Sequence, residues 1–253
     1  MFPVLQIGPL VVQAPGLFLL LGVWVGLNLA GKRAQASALQ SSALDNLIMF
    51  MLSGFLIGGR LVFIAANFST FQNSPLDIFS LNYELFDLSG GLASGLAVGG
   101  IYGQRNGFSL WPTLDALTPF LATLAVAIGL AHLASGSAYG EPSSLPWAIE
   151  LRGAARHPSQ VYESLGAILI LFALGLRKPF SHSGALFLLF SVASAAMSLF
   201  LQAFRGDGAV TASGIRIAQF TAWIILAASL ALLDRRLHTP LSQPETPSPS
   251  LDQ

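Results

Sequence analysis

The sequence predicts an all-α polytopic membrane protein with about seven transmembrane helices, its N-terminus outside the cytoplasm and its C-terminus inside. Three observations predict it. Hydrophobic residues make up 53% of the 253 and charged residues only 9%, whereas a soluble domain carries about 25% charged residues. Mean hydropathy is +0.67, so lipid rather than water must cover most of the surface. Apolar segments approaching the roughly 20 residues needed to span a bilayer recur along the chain, and Lys and Arg gather in alternate loops.

The expected spans run over residues 11–30, 47–67, 89–102, 114–134, 161–176, 184–203 and 215–233, the third and fifth being short. The first is read as a retained helix, because no small-residue cleavage site follows it. Lys32 and Arg33 lie between the first two spans, Arg105 after the third, Arg177 and Lys178 after the fifth, and Arg235 and Arg236 after the seventh. The loop over 68–88 has no Lys or Arg, only Asp77, Glu84 and Asp87. The positive-inside rule then puts the N-terminus outside. Residues 1–237 are thus read as one seven-span domain and 238–253, rich in Pro, Ser and Gln, as a disordered cytoplasmic tail.

Composition excludes several classes of function. The formal net charge is zero, which leaves no electrostatic basis for a nucleic-acid partner. Cysteine is absent, which removes disulfides, thiolate metal sites and a cysteine nucleophile on this chain. No internal repeat is visible, which argues against an inverted-repeat transporter. Nothing in the sequence calls for a metal or a cofactor.

Ionisable residues at membrane depth or in outer loops are the informative positions, because burying them is costly. Arg60 follows Gly58 and Gly59 inside the second span. These glycines allow another helix, or a lipid headgroup, to approach closely. Arg152, Arg156, Arg205 and Arg216 lie on the outer side, against the positive-inside trend. A planar guanidinium grips phosphate with two donors; pairing with Glu141, Glu150, Glu163 or Asp207 is the alternative use. The string from Arg156 through His157, Pro158, Ser159, Gln160, Val161 and Tyr162 to Glu163 opens the fifth span. Phe204-Arg205-Gly206-Asp207 closes the sixth, and Gly90 and Gly91 open the third, as helix packing or as a lateral path for a lipid.

In this order the strings resemble the prolipoprotein diacylglyceryl transferase family from about Gly16 to Leu233. The resemblance also rests on Gly59-Arg60-Leu61, Gly90-Gly91-Leu92, the run from Leu114 to Pro119, Tyr139-Gly140-Glu141-Pro142, Pro146-Trp147-Ala148 and Gln219. It implies a seven-span inner-membrane enzyme. Such an enzyme moves the diacylglyceryl group of phosphatidylglycerol onto the lipobox cysteine thiol of a prolipoprotein, so its partners are that phospholipid and the prolipoprotein signal segment. Arg205, Arg60 and Arg156 are then expected to hold the lipid phosphate. His132, His157 and Glu163 are the candidate catalytic groups, and Gly90, Gly91, Tyr139, Gly140, Gln160, Tyr162 and Asp207 shape the site.

The chain departs from the family pattern at several points. Ser89 stands where the family has histidine, and Pro15 where it has tyrosine. In the fourth span the family's Gly-Arg-x-x-Asn-x-x-Asn-Gly-Glu becomes a stretch with Gly129 for arginine, His132 and Ser135 for the asparagines and Ser137 for glutamate. Two readings follow: a divergent transferase with relocated polar groups, or an inactive homologue that binds phospholipid or lipoprotein segments as an accessory or scaffold.

Overall fold

The computed structural model describes residues 4–7, 10–36, 39–72, 78, 85–177, 180–208 and 216–238. Seven helices of 17 to 26 residues account for the expected spans: α1 Ala14–Ala36, α2 Ser41–Ala66, α4 Leu88–Arg105, α5 Leu110–Ser135, α6 Ser159–Gly175, α7 Ala185–Gln202 and α8 Ile217–His238. A short helix, α3 (Phe68–Gln72), follows α2. By length and composition five of them are apolar enough to cross a membrane, namely α1, α2, α5, α7 and α8. The helix α6 is apolar but shorter, about 25 Å at 1.5 Å per residue against a hydrocarbon core near 30 Å. Glycines dilute the hydropathy of α4. Large apolar side chains such as Leu20, Trp24, Leu169 and Phe220 lie exposed on the outer surface, as a chain solvated by lipid requires. This is a multi-pass membrane protein.

Two hairpins add to the helices and were not anticipated. The first, β1 (Val4–Ile7) with β2 (Leu10–Gln13), displaces the start of the first span from residue 11 to Ala14. The second pairs β3 (Ile149–Leu151) with β4 (Ala154–Arg156). Its two-residue turn is Arg152-Gly153, with φ of 54° and 74°, the left-handed pair that matches the twist of a tight hairpin. At the other end of the chain α8 runs through His238, one residue into the expected tail; the rest of that tail lies outside the described residues.

The helices pack in the order α4, α2, α1, α5, with α6 and α7 against α5 and α8 against α7. Small residues set the closest crossings. Gly58 and Gly59 of α2 are buried against α4, where a Cβ on Gly59 would come 2.9 Å from the Asp87 carbonyl oxygen. Gly91 is buried in the same crossing, facing Phe55, and Gly90 faces Val62. Of the two uses expected for these glycines, helix packing is the one seen. A core of Ala30, Ala34, Leu44, Ile48, Ala116 and Phe120 joins α1, α2 and α5. Near the start of α5 the Asp115 carboxylate accepts from the Gly184 and Phe187 amides at 2.6 and 2.9 Å. It thereby supplies two of the N-terminal donors of α7 with an acceptor.

Candidate functional site

Six of the thirteen expected site residues, Tyr139, Gly140, Arg156, His157, Arg205 and Asp207, come from the chain between helices at one end of the bundle. The segment 139–143 runs extended between two others. On one side Glu141 N donates to the Phe204 carbonyl at 2.8 Å and Gly206 N to the Tyr139 carbonyl at 3.0 Å. On the other His157 N donates to the Glu141 carbonyl at 3.0 Å and Ser143 N to the Ala155 carbonyl at 2.9 Å. The β3–β4 hairpin therefore continues through residues 139–143 to residues 204–206. Gly140 and Gly206 make this possible, because a Cβ on Gly206 would lie 2.9 Å from the Gly140 carbonyl oxygen.

This arrangement puts Arg156 and Arg205 on opposite flanks of one strand, bridged to Pro142 and Gly140 respectively. With about 4.8 Å between neighbouring strands, their backbones are separated by roughly two strand spacings. Arg156 donates Nε to the Leu151 carbonyl (3.1 Å) and Nη1 to the Gly140 carbonyl (3.2 Å). Its guanidinium and that of Arg152 both lie over the Tyr139 ring, at 5.0 and 4.6 Å from the centroid. The ring face offers two like charges a common counterweight. Arg205 is bound side-on by Asp207, Nε to Oδ1 at 3.0 Å and Nη2 to Oδ2 at 3.1 Å. Arg216 reaches Glu141 Oε1 at 2.6 Å and also donates to the Gln202 and Arg205 carbonyls. Carboxylate pairing thus holds for Arg205 and Arg216, while Arg152 and Arg156 use an aromatic face.

The first turn of α6 is locked to the end of α5. Ser159 Oγ donates to the Ala138 carbonyl (2.6 Å), and the fully buried Gln160 donates Nε2 to the Ser137 carbonyl (2.9 Å). One turn on, Glu163 Oε2 meets His132 Nδ1 at 2.8 Å, the two side chains 23% and 31% exposed. Tyr162 turns the other way and accepts from Trp147 Nε1 at 2.8 Å. His157 packs its ring against Tyr162 and Phe204, and its Nδ1 is buried with no hydrogen-bond partner among the described residues. These rings head an apolar groove of about 570 Å³ that continues past Leu165, Leu169 and Met197.

Arg60 stands apart. Its Nε and Nη1 donate to the Ile78 and Leu85 carbonyls at 3.0 and 2.8 Å, and its guanidinium lies 5.7 Å from the ring centroids of Phe71 and Phe86. It ties Ile78 and Leu85 to α2, which packs against α4 and α1, whereas the strands that carry Arg156 and Arg205 follow α5 and α7 in the chain. Beside it Ser89 Oγ and the Gly90 amide both reach Asp87 Oδ1 at 2.6 Å. The Ser89 hydroxyl, with the Gly90 N–H, holds the Asp87 carboxyl below its ordinary value of 3.8.

Position 129 explains one departure in the sequence. Gly129 is buried where α5 crosses α6, and a Cβ there would lie 2.8 Å from Ser164 Oγ and 3.0 Å from the Ser164 N and Cα. A side chain here would require the Ser164 hydroxyl and the α6 backbone to give way. Sequence reasoning singled out Arg152 as an outer arginine but missed its place in a hairpin turn over the Tyr139 ring, and it missed Trp147 as the partner of Tyr162. The Arg-Gly pair between two short alternating stretches was the available signal for the hairpin.

The family model for prolipoprotein diacylglyceryl transferase matches residues 3–234. Among similar proteins, one from Methylococcus capsulatus is 31% identical over 65% of this chain and 66% of its own length. One from Synechococcus elongatus is 25% identical over 88% of this chain and 82% of its own. One from Gloeobacter violaceus is 28% identical over 90% and 94%. All three bear the name phosphatidylglycerol–prolipoprotein diacylglyceryl transferase. With a match that runs from the first hairpin almost to the end of α8, the chain belongs to the prolipoprotein diacylglyceryl transferase family.

Proposed function

We propose that this chain moves the diacylglyceryl group of phosphatidylglycerol onto the lipobox cysteine thiol of a prolipoprotein, at the outer face of a bacterial inner membrane. The observation that carries the reading is the pair of arginines held on the two flanks of one strand at a single end of the bundle. Arg205 spends Nε and Nη2 on Asp207 and keeps Nη1 for a phosphate oxygen. Arg156, with Arg152 beside it on Tyr139, adds a second positive charge. Donors fixed in place before the substrate arrives stabilise the leaving glycerol phosphate without reorganisation. The thiol needs a base, since its pKa near 8.5 leaves it mostly protonated at neutral pH, and His132 and His157 are the two histidines at this end. Gln160, Tyr139 and Gly140 hold the strands and α6 in register. The apolar groove under His157 and Tyr162 suits hydrocarbon. Arg60 acts on this reading only indirectly, by shaping the α2–α4 end.

The test is purified protein in phosphatidylglycerol micelles with a lipobox peptide, following the mass gain on the peptide cysteine. Product is expected. Its absence, under conditions where a family member with the complete fourth-span motif works, defeats the reading. One observation favours the second reading, an inactive phospholipid- or lipoprotein-binding homologue: an arginine at position 129, where the family places one, would require α6 to give way. Retention of phosphatidylglycerol or of the peptide without transfer would support it.

A further inference from the structure

Four helices meet around the outer ends of α5 and α6, and their charges are few. The ionisable residues of α5 are Asp115 near its start and His132; those of α6 are Tyr162 and Glu163. Helix α7 has none, and α1 has only Lys32 and Arg33 near its C-terminal end. His132 and Glu163, 31 residues apart in sequence, therefore pair as the one histidine and the one carboxylate in this part of the four helices. Ionisable groups inside a membrane span are costly to keep and mark function unless paired for structure alone.

From this geometry, and resting on the transferase reading above, we infer that His132 is the base for the acceptor thiol and Glu163 its positioning residue. A carboxylate only accepts hydrogen bonds, so His132 Nδ1 carries the proton toward Glu163 Oε2 and Nε2 presents its lone pair. The carboxylate fixes that tautomer and steadies the imidazolium once it forms. The pair goes from a net charge of −1 to zero when it takes a proton. His157 lacks such an orienting group: its Nδ1 is buried with no hydrogen-bond partner among the described residues. The arginines at this end are already engaged: Arg205 with Asp207, Arg216 with Glu141, Arg156 with two carbonyls and Tyr139, and Arg152 with Tyr139; Glu150 is exposed on β3.

The step balances as follows. His132 Nε2 takes the thiol proton, and the sulfur attacks the glycerol carbon that bears the phosphate. The S–C bond forms, and the C–O bond breaks with its electron pair passing to the phosphate oxygen. Glycerol phosphate leaves as a monoester and takes the proton back from the imidazolium.

The experiment is the peptide assay in phosphatidylglycerol micelles from pH 6 to 9 with wild type, His132→Asn and Glu163→Gln. The wild-type rate should rise less steeply with pH than that of His132→Asn. At neutral pH His132→Asn should fall at least about 100-fold, the lower range of a general base's contribution. Its rate should then climb about tenfold per pH unit until the thiol ionises unaided near 8.5, closing most of the gap. Glu163→Gln, which keeps the side chain's size and a hydrogen bond, should show a smaller change of the same shape. It serves as the sole test if the histidine variant does not purify as a monodisperse protein. A loss equal at every pH makes the pair structural and overturns the inference, as does a wild-type profile in both variants; in either case the transferase reading stands. No product from wild type sinks both.

Discussion

Arg216, at the mouth of α8, reaches across to Glu141 in the extended segment 139–143, Nη2 to Oε1 at 2.6 Å. Its Nη1 also donates to the carbonyls of Gln202 and Arg205. Glu141 is about half exposed, 49%, against 23% for Arg216. Exposed ion pairs contribute about 0–1 kcal/mol, whereas stripping the donor from carbonyls at a partly buried helix end costs about 1–3 kcal/mol. The carbonyls therefore decide. Arg216→Ala should lower the thermal midpoint in detergent clearly more than Glu141→Ala does; equal shifts would show that the carboxylate is what matters.

Arg205→Ala removes the guanidinium that faces Asp207 and leaves that carboxylate without its cation. Loss of one member of a desolvated charge pair costs about 2–5 kcal/mol, discounted here because both side chains are more than a fifth exposed, 25% and 22%. With about 1.4 kcal/mol per decade of rate, turnover should slow by at least about tenfold. Arg205→Ala turning over lipobox peptide at the wild-type rate would remove Arg205 as the phosphate clamp.

The start of α4 should depend on acid in a defined sense. The Asp87 carboxyl lies below its ordinary value of 3.8 because the Ser89 hydroxyl and the Gly90 amide bind its charged form. A depressed carboxylate contributes stability above the unfolded value, and that stability is lost as pH falls through the lower folded value. Protection of the Gly90 amide from hydrogen exchange should accordingly drop below about pH 4. In Asp87→Asn the pH dependence should vanish. A wild-type curve with no step there would contradict the assignment.

Orientation is tested by reporters. Fused after Arg236, a cytoplasmic reporter should be active and a periplasmic one silent. Inserted between Phe71 and residue 75, the pattern should reverse. The opposite result would place Arg156 and Arg205 on the cytoplasmic face and remove them from the side where lipobox cysteines are modified.

The helices were legible because each is a run of largely apolar residues, and Lys32-Arg33 and Arg235-Arg236 mark two helix ends without reference to any contact. The third span came out short because Gly103, Gln104 and Arg105 end α4 without apolar side chains, and the fifth because α6 is itself only 17 residues long and opens on Ser159 and Gln160. Ser159 and Gln160 are buried there by hydrogen bonds to the Ser137 and Ala138 carbonyls, which hydropathy does not register. The Arg156–Glu163 string stood out, yet its residues part company: Arg156 turns to Tyr139, Tyr162 to Trp147 and Glu163 to His132. The Glu163–His132 pairing is set by the crossing of α5 and α6 and the other two by the path of the chain between those helices, neither of which a single sequence encodes in any local period. Arg60 looked like part of the same cluster, but its Nε and Nη1 go to the Ile78 and Leu85 carbonyls rather than to the strands that carry Arg156 and Arg205.

Gly129 has a bearing on how this protein can be altered. Because α5 and α6 touch backbone to backbone at Ser164, an arginine placed there must wedge the two helices apart. The same wedge would separate His132 from Glu163, one turn toward the helix ends. Grafting the family's arginine onto this scaffold is therefore no one-step repair: the graft and the histidine–glutamate contact compete for the same interhelical gap. Any variant that carries the arginine must also rebuild the face of α6 from Gln160 to Ser164.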